Sequence, residues 1–398
     1  MSSQAQPLGG PALGKVSKWI LWLGIVGVVL ILWRFGVGLG RSTGLNDGYP
    51  WGLWIAFDVV TGTALGCGGF AMALLVYIFN KGKYHPLVRP AILTSALGYS
   101  LAGLAIAIDV GKPWFIWRIP LGGFPDMGKY NWNSALLEVA LCVMAYVIVL
   151  WIELSPAFFE KWKDSPKEGL ANFSKKAYGI VNKLLIWIIA LGVLLPTMHQ
   201  SSLGSLMLLS GPRLHGLWNT PLLPLLFLMS CIVMGYAVVV MEAALSSRFF
   251  GRPSHKTMLA DIGKVAAYIS WAYLVFRFVE LALRGRLGLM FQFNVYSLMF
   301  WIEIVCFAVP AVMLMSAQKR QDLGHLFRAA MLLIVAGTLY RFDTYLVAFM
   351  PGENFSYFPT VPEMFVTIGI VAIEILLYVA LVTVFPILAG RPTTAEAH

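Results

Sequence analysis

Asp58, Glu138 and His199 are the residues of this sequence whose chemistry is hardest to assign to packing, because each stands in or at the end of a long apolar run. Asp58 lies seven residues beyond Trp51, and Glu138 six beyond Trp132; His199 sits in the stretch Pro196-Thr197-Met198-His199-Gln200-Ser201-Ser202. An ionised group near the centre of a bilayer costs roughly 2.5–3.5 kcal/mol on insertion scales. The three fall at similar depth, with no intramembrane Arg or Lys to pair with them. Carboxyls so placed exchange protons readily, and an imidazole adds a donor or acceptor. The grouping suits proton-coupled chemistry on a small ligand with a polar head. Carboxyls hydrogen-bonded to Ser, Tyr or Asn on neighbouring helices are the structural alternative.

A second set comes later in the chain: Arg277, Glu280, Glu303, Arg341 and Asp343. Its two arginines and three carboxylates can largely neutralise one another, which reads as structural ion pairing. Between the sets, Tyr99 is mid-span, Arg89 opens the same span at its inner end, and Glu242 lies near the inner end of a later one. By depth, Glu138, Tyr99, Glu242 and Arg89 describe a stepwise polar path across the membrane. A packed aromatic is the plain alternative for Tyr99. Asp109 and Lys112 lie near the outer end of the span that holds Tyr99.

The elements that must position these groups are membrane spans. Of the 398 residues, 59% are apolar and 12% charged, against about 45–50% and about 25% in soluble proteins. Mean hydropathy is +0.77. This excludes a soluble enzyme, a disordered chain and a coiled coil. Apolar windows long enough to cross a bilayer fall near 18–40, 52–79, 90–111, 132–155, 178–199, 218–245, 262–283, 293–316, 325–348 and 361–388. The expected fold is therefore all-α and polytopic, with ten spans. Its parts are a tail over 1–17, a first span over 18–40, a unit over 52–199, a second over 218–348, a last span over 361–388 and a tail over 389–398. The first span reads as a retained anchor, since no A-x-A-like cleavage site follows it.

Nineteen of the 29 Lys and Arg fall at the termini and in the even-numbered connections. The positive-inside rule then places both termini in the cytoplasm. The net charge of +10 sits in those connections and implies no nucleic acid. The connection over 156–177 reads as a charged amphipathic helix, and the outer loops carry Trp114, Trp117 and Trp132 as interface anchors or a docking floor. Cys67, Cys142, Cys231 and Cys306 are scattered singly, as packing residues are, and imply no iron–sulfur cluster or other metal site. Of six histidines, His199 alone falls in or at a span, which leads to the expectation that the chain holds no haem. Pro196 and Pro310 can interrupt their spans.

Three stretches resemble the NrfD/polysulfide-reductase membrane-subunit family: Trp51-Gly-Leu-Trp-Ile-Ala-Phe-Asp58 running on to Gly68-Gly69-Phe70, Asn131-Trp132-Asn133-Ser134 with Glu138, and Leu195-Pro196-Thr197-Met198-His199-Gln200-Ser201-Ser202-Leu203-Gly204. Length and span count are most similar to the HybB-type anchors of periplasm-facing nickel–iron hydrogenases. The resemblance implies two four-helix bundles with a flanking helix at each end. It implies that Asp58, Tyr99, Glu138 and His199 surround or serve a quinone, menaquinone or ubiquinone, with Glu138 and His199 in the catalytic roles. Arg89 and Glu242 would join Tyr99 and Glu138 on a proton route.

The implied partners are a periplasmic ferredoxin-like iron–sulfur subunit and the large and small hydrogenase subunits. The implied setting is the bacterial inner membrane. Such a subunit passes electrons onward within a hydrogen:quinone oxidoreductase and is not active alone. Two rivals stay open: a same-family anchor of a molybdenum or sulfur-metabolising oxidoreductase, and a proton-coupled secondary transporter.

Overall fold

The computed structural model describes residues 5–122 and 130–390. Among the described residues are ten helices long and apolar enough to cross a membrane: α1 (Lys18–Val37), α2 (Trp54–Ile78), α3 (Val88–Asp109), α4 (Ala135–Trp162), α5 (Glu168–Leu208), α6 (Leu223–Phe250), α7 (Lys256–Leu283), α8 (Val295–Met313), α9 (Leu323–Val347) and α10 (Val361–Val384). The protein is an all-α, multi-pass integral membrane protein. Backbone polar groups in hydrocarbon must be satisfied within the segment, which makes the helix the natural spanning element for such sequences.

Local chemistry sets where helices begin. Ser134 accepts from the Leu137 amide at the start of α4, Asn294 from Ser297 at α8, and Asp322 from Gly324 and His325 at α9. At α10, Thr360 and Glu363 form a reciprocal capping box. Gly251, at φ 62°, closes α6.

Each helix of α2–α5 packs on the next, and α5 returns to α2; α6–α9 form a second ring of the same kind. The rings meet where α6 and α9 lie against α2, and α6 against α5. α1 pairs with α10, and α10 also lies against α2 and α3. The α1–α10 approach depends on Gly27 and Gly369: a Cβ built on Gly27 would sit 2.6 Å from the Gly369 Cα.

α2 is the irregular member. Wide π turns over Trp54–Thr61 and Leu74–Ile78 flank short α segments broken at Gly66 and Cys67. π segments recur at functional sites because they re-aim side chains. The carbonyl of Cys67 faces Gly235 of α6, where an added Cβ would lie 2.5 Å from it.

Three expectations are corrected. The 156–177 segment is no separate amphipathic helix: α4 runs on to Trp162, and α5 begins at Glu168. At 41 residues, α5 is about 61 Å long, twice the hydrocarbon thickness of about 30 Å. It extends past the bilayer because its charged first turns continue the same helix. Neither Pro196 nor Pro310 interrupts its helix. Beside Pro196, the Thr197 hydroxyl donates to the Val193 carbonyl at 2.7 Å, adding a bond to the ladder next to the one proline removes. Ser201 continues the same pattern to the Thr197 carbonyl at 2.9 Å, and the helix proceeds to Leu208.

Both ends of the described residues meet on one face, the terminal face. The Gln6 amide donates to the Leu388 carbonyl at 2.8 Å, and the Leu8 amide to that of Val382 at 3.0 Å. Arg252 fastens this strap through the Gln6 and Pro7 carbonyls, both at 3.0 Å. On the far face, the 41–53 and 349–360 segments interlock, with Asn46 bonded to the Ser356 carbonyl at 2.8 Å and Trp51 to that of Tyr345 at 2.9 Å.

Candidate functional site

Inside the first ring, α3 and α5 bring Tyr99 and His199 together. Both are fully buried, and the phenol oxygen lies 2.6 Å from the imidazole Nε2. The rings meet edge to face with centroids 5.3 Å apart, and Tyr146 of α4 packs on Tyr99 in the same manner at 4.6 Å. The amide nitrogen of Gln200 reaches His199 Nε2 at 3.0 Å, the Tyr99 oxygen at 3.3 Å and Thr63 Oγ1 at 3.3 Å. Cys67, at the break in α2, lies 3.5 Å from the same phenol.

With the Gln200 amide nitrogen turned toward His199, Nε2 accepts, and this orientation selects the tautomer with the proton on Nδ1. His199 Nδ1 and Gln200 Oε1 are both buried without a hydrogen-bond partner among the described residues. In this orientation the adjacent residues His199 and Gln200 present one spare N–H donor and one spare carbonyl acceptor. Buried groups of this kind are costly unless something supplies the missing bond.

One turn along α5, Ser202 donates to Glu138 Oε1 at 2.8 Å, tying α4 to α5. Glu138 itself is exposed on the surface of the bundle. Asp58, the fourth residue expected at one common ligand, is turned elsewhere: its Oδ2 accepts from Thr367 of α10 at 2.7 Å. The polar group of three thus divides into the Tyr99–His199–Gln200 centre, a Glu138–Ser202 pair beside it, and an Asp58–Thr367 pair against α10. Toward the terminal face, Glu242 accepts from Thr94 at 3.2 Å and from Tyr378. Arg89 grips Glu160 with both terminal nitrogens, at 2.7 and 2.6 Å, and reaches the Pro386 carbonyl at 3.2 Å.

In the second ring, Arg277 and Glu303 are fully buried and lie 3.4 Å apart. Tyr273 at 2.9 Å and Trp218 at 3.0 Å complete the carboxylate. Glu280 pairs with Arg284 at 3.0 Å rather than with Arg277. Arg341 meets the Val60 and Phe227 carbonyls at 3.0 and 2.8 Å, leaving both Asp343 oxygens without a hydrogen-bond partner among the described residues. Ion pairing therefore accounts for part of this set only.

Sequence reasoning passed over several participants. Gln200 and Ser202 stand in the quoted stretch beside His199 and were within reach of it. Cys67 had no such signal, since only the break in α2 carries it to Tyr99. Thr367, Glu374 and Tyr378 were hidden on a helix expected merely to flank the bundles.

A polytopic helical protein with a buried polar centre between its spans is an integral membrane protein in architecture, and the sequence comparisons define its family. The family profile "Polysulphide reductase, NrfD" matches residues 41–350, and the protein belongs to that family. It is 42% identical over 393 residues to the "Probable Ni/Fe-hydrogenase 2 b-type cytochrome subunit" of Escherichia coli K12, covering 98% of this sequence and 96% of that one. It is 28% identical over 390 residues to the "Menaquinone reductase, integral membrane subunit" of Nitratidesulfovibrio vulgaris Hildenborough, covering 90% and 89%. It is 27% identical over 194 residues to a polysulfide reductase polypeptide of Wolinella succinogenes, covering 47% and 56%.

The name of the Escherichia coli relative overturns one expectation. A b-type cytochrome subunit points to haem, against the reading that the chain holds none. The count of intramembrane histidines was too narrow a basis for that exclusion. Axial ligation of haem iron takes an imidazole lone pair. As arranged here, the Nε2 lone pair of His199 receives the Gln200 amide, and His85, His215, His255 and His325 lie at helix ends or in connections. The described residues in this arrangement do not fit the group, and no step of the proposed reaction runs through it.

Proposed function

We propose that this protein is the quinone-reactive membrane anchor of a respiratory hydrogenase complex, taking electrons from an extramembrane iron–sulfur subunit and passing them to menaquinone or ubiquinone. The observation that carries the reading is the buried pair of unpartnered groups, His199 Nδ1–H and Gln200 Oε1. A quinone carbonyl accepts one hydrogen bond from such a donor, and the hydroxyl formed on reduction donates one to such an acceptor. Tyr99, bonded to His199 Nε2, can pass its proton to Nε2 as Nδ1 yields its own, and the phenol oxygen is then reprotonated through water by way of Glu138. Glu138, held by Ser202 one turn away and exposed, is the group placed to exchange protons with the surroundings.

The 42% identity to a nickel–iron hydrogenase subunit supports hydrogenase large and small subunits as partners. The menaquinone reductase relative supports the electron acceptor. In this reading the protein sits in the bacterial inner membrane, the terminal face is cytoplasmic, and the far face receives the iron–sulfur subunit. Protons drawn to the quinone from the terminal face would make turnover electrogenic, with Glu242 as an inner station. Similarity to a polysulfide reductase favours a second reading, an anchor for a sulfur-metabolising or molybdenum enzyme.

Purification from native membranes under mild detergent decides between them. A co-purifying nickel–iron large subunit with hydrogen-to-quinone activity is expected. A molybdenum or sulfur enzyme in its place would establish the second reading, and isolation without any partner would overturn both.

A further inference from the structure

α10 carries a polar stripe that the quinone site does not use. Thr367, Glu374 and Tyr378 are spaced by seven and four residues, which places them on one face of a 3.6-residue helix. That face is turned inward at both ends. Toward the far face, Thr367 donates to Asp58 of α2 at 2.7 Å. Toward the terminal face, Tyr378 donates to Glu242 of α6, whose other oxygen takes the Thr94 hydroxyl of α3 at 3.2 Å.

Glu374 stands between these two ends, where a spanning helix is expected to be apolar. Its carboxyl has no hydrogen-bond partner among the described residues. It lies against glycine: a Cβ on Gly98 of α3 would be 3.4 Å from Glu374 Oε1, 3.5 Å from the Gly66 Cα and 3.7 Å from the Gly62 carbonyl. Asp58, Gly62 and Gly66 follow one another at four-residue intervals on α2. Bare glycine backbone therefore separates the Asp58 and Glu374 carboxyls along that side of α2. Gly98 also neighbours Tyr99, so the column runs one residue away from the redox centre.

We infer that this face of α10 is a proton-conducting column, entered at Glu242, relayed by Tyr378, carried by Glu374 and delivered toward Asp58. With the Tyr378 hydroxyl turned away from a protonated Glu242, Glu242 hands its proton to the Tyr378 oxygen while Tyr378 yields its own, through an intervening water, to the Glu374 carboxylate; one O–H bond forms for each that breaks. Glu242 is reprotonated from the terminal face. The step from Glu374 to Asp58 covers about two helical turns, roughly 10 Å, and passes through water alongside the glycines. The direction of flow rests on the quinone-reductase reading, because quinone reduction consumes the protons.

The test uses the complex with its partner subunits in vesicles holding a trapped pH dye, driven by the partners' own electron donor. Glu374→Gln is expected to lower proton uptake from the terminal-face side by roughly tenfold or more, Tyr378→Phe to lower it less, and Glu374→Asp to restore part of it. Proton uptake and turnover equal to wild type in Glu374→Gln would overturn the column. An assembled, folded Glu374→Asp complex serves as the control for structural damage. If the wild type reduces no quinone, the functional reading fails instead. The column is then decided by deuterium exchange of the Asp58 carboxyl infrared band: slower exchange in Glu374→Gln supports it, and equal rates overturn it.

Discussion

The Tyr99 hydroxyl and His199 Nε2, a hundred residues apart in sequence, meet at 2.6 Å with both side chains fully buried. Tyr99→Phe keeps the ring packing on Tyr146 and removes only the hydroxyl. His199→Ala removes the imidazole altogether. Both should lower quinone reduction by at least about a hundredfold, the scale of a lost proton-transfer group. Dye reduction by the partner enzyme should remain, because dye bypasses the membrane subunit. Wild-type quinone turnover in an assembled His199→Ala complex would remove the residue from the site.

Glu138 and Ser202 separate chemistry from positioning. Ser202→Ala deletes the 2.8 Å hydrogen bond but leaves the carboxyl, so quinone reduction should fall severalfold. Glu138→Gln keeps the shape and the bond while removing the exchangeable proton, and should fall much further. Steady-state turnover across a quinone concentration series measures both. Equal losses in the two variants would make Glu138 a structural tether.

Arg277 and Glu303 should behave as a closed structural unit. Arg277→Met leaves a buried carboxylate without its counter-ion and should destabilise the protein by about 3–5 kcal/mol. Adding Glu303→Leu should recover most of that loss, although Tyr273 and Trp218 then lose their acceptor. Unfolding in mixed micelles reads the difference. Recovery of stability without recovery of quinone turnover would show that this cluster also serves the reaction.

These contrasts show what the sequence could and could not reveal. Span count follows from apolar length, and the singling out of Tyr99, His199, Glu138, Glu242 and Glu303 from polar residues standing in apolar runs, with the family resemblance pointing to the first four as well. Partner identity is a different matter, because it depends on how helices rotate about their axes. Asp58 was grouped with His199 on depth and on the family resemblance, yet its turn of α2 directs it to Thr367. Glu374 and Tyr378 gave no signal, since their stripe becomes meaningful only once α10 is known to lie against α2 and α3.

His215, in the connection between α5 and α6, gives a pH signature outside the membrane. It stacks on Tyr296 with centroids 4.2 Å apart, and burial, reinforced by Arg286, holds its imidazole below the ordinary value of 6.5. The folded state thus binds this proton more weakly than the unfolded state. Its contribution to stability is present above the unfolded value and declines as pH falls through and below it. Thermal midpoints should drop between about pH 7 and pH 5, and His215→Gln should flatten that part of the curve. An identical slope in the variant would assign the dependence to other groups.

The strap from Gln6 to Leu8 along Val382 and Leu388 brings the two ends of the described residues to one place. A reporter protein fused at either end must then appear in the same compartment, so the two fusions check each other as a test of sidedness. The ends could also be joined by a short linker and the backbone reopened in the exposed turn at 163–167, between α4 and α5. Such a permuted gene would synthesise α5 first and α4 last. It would ask whether the order in which helices leave the ribosome matters to how the Tyr99–His199–Gln200 centre is assembled.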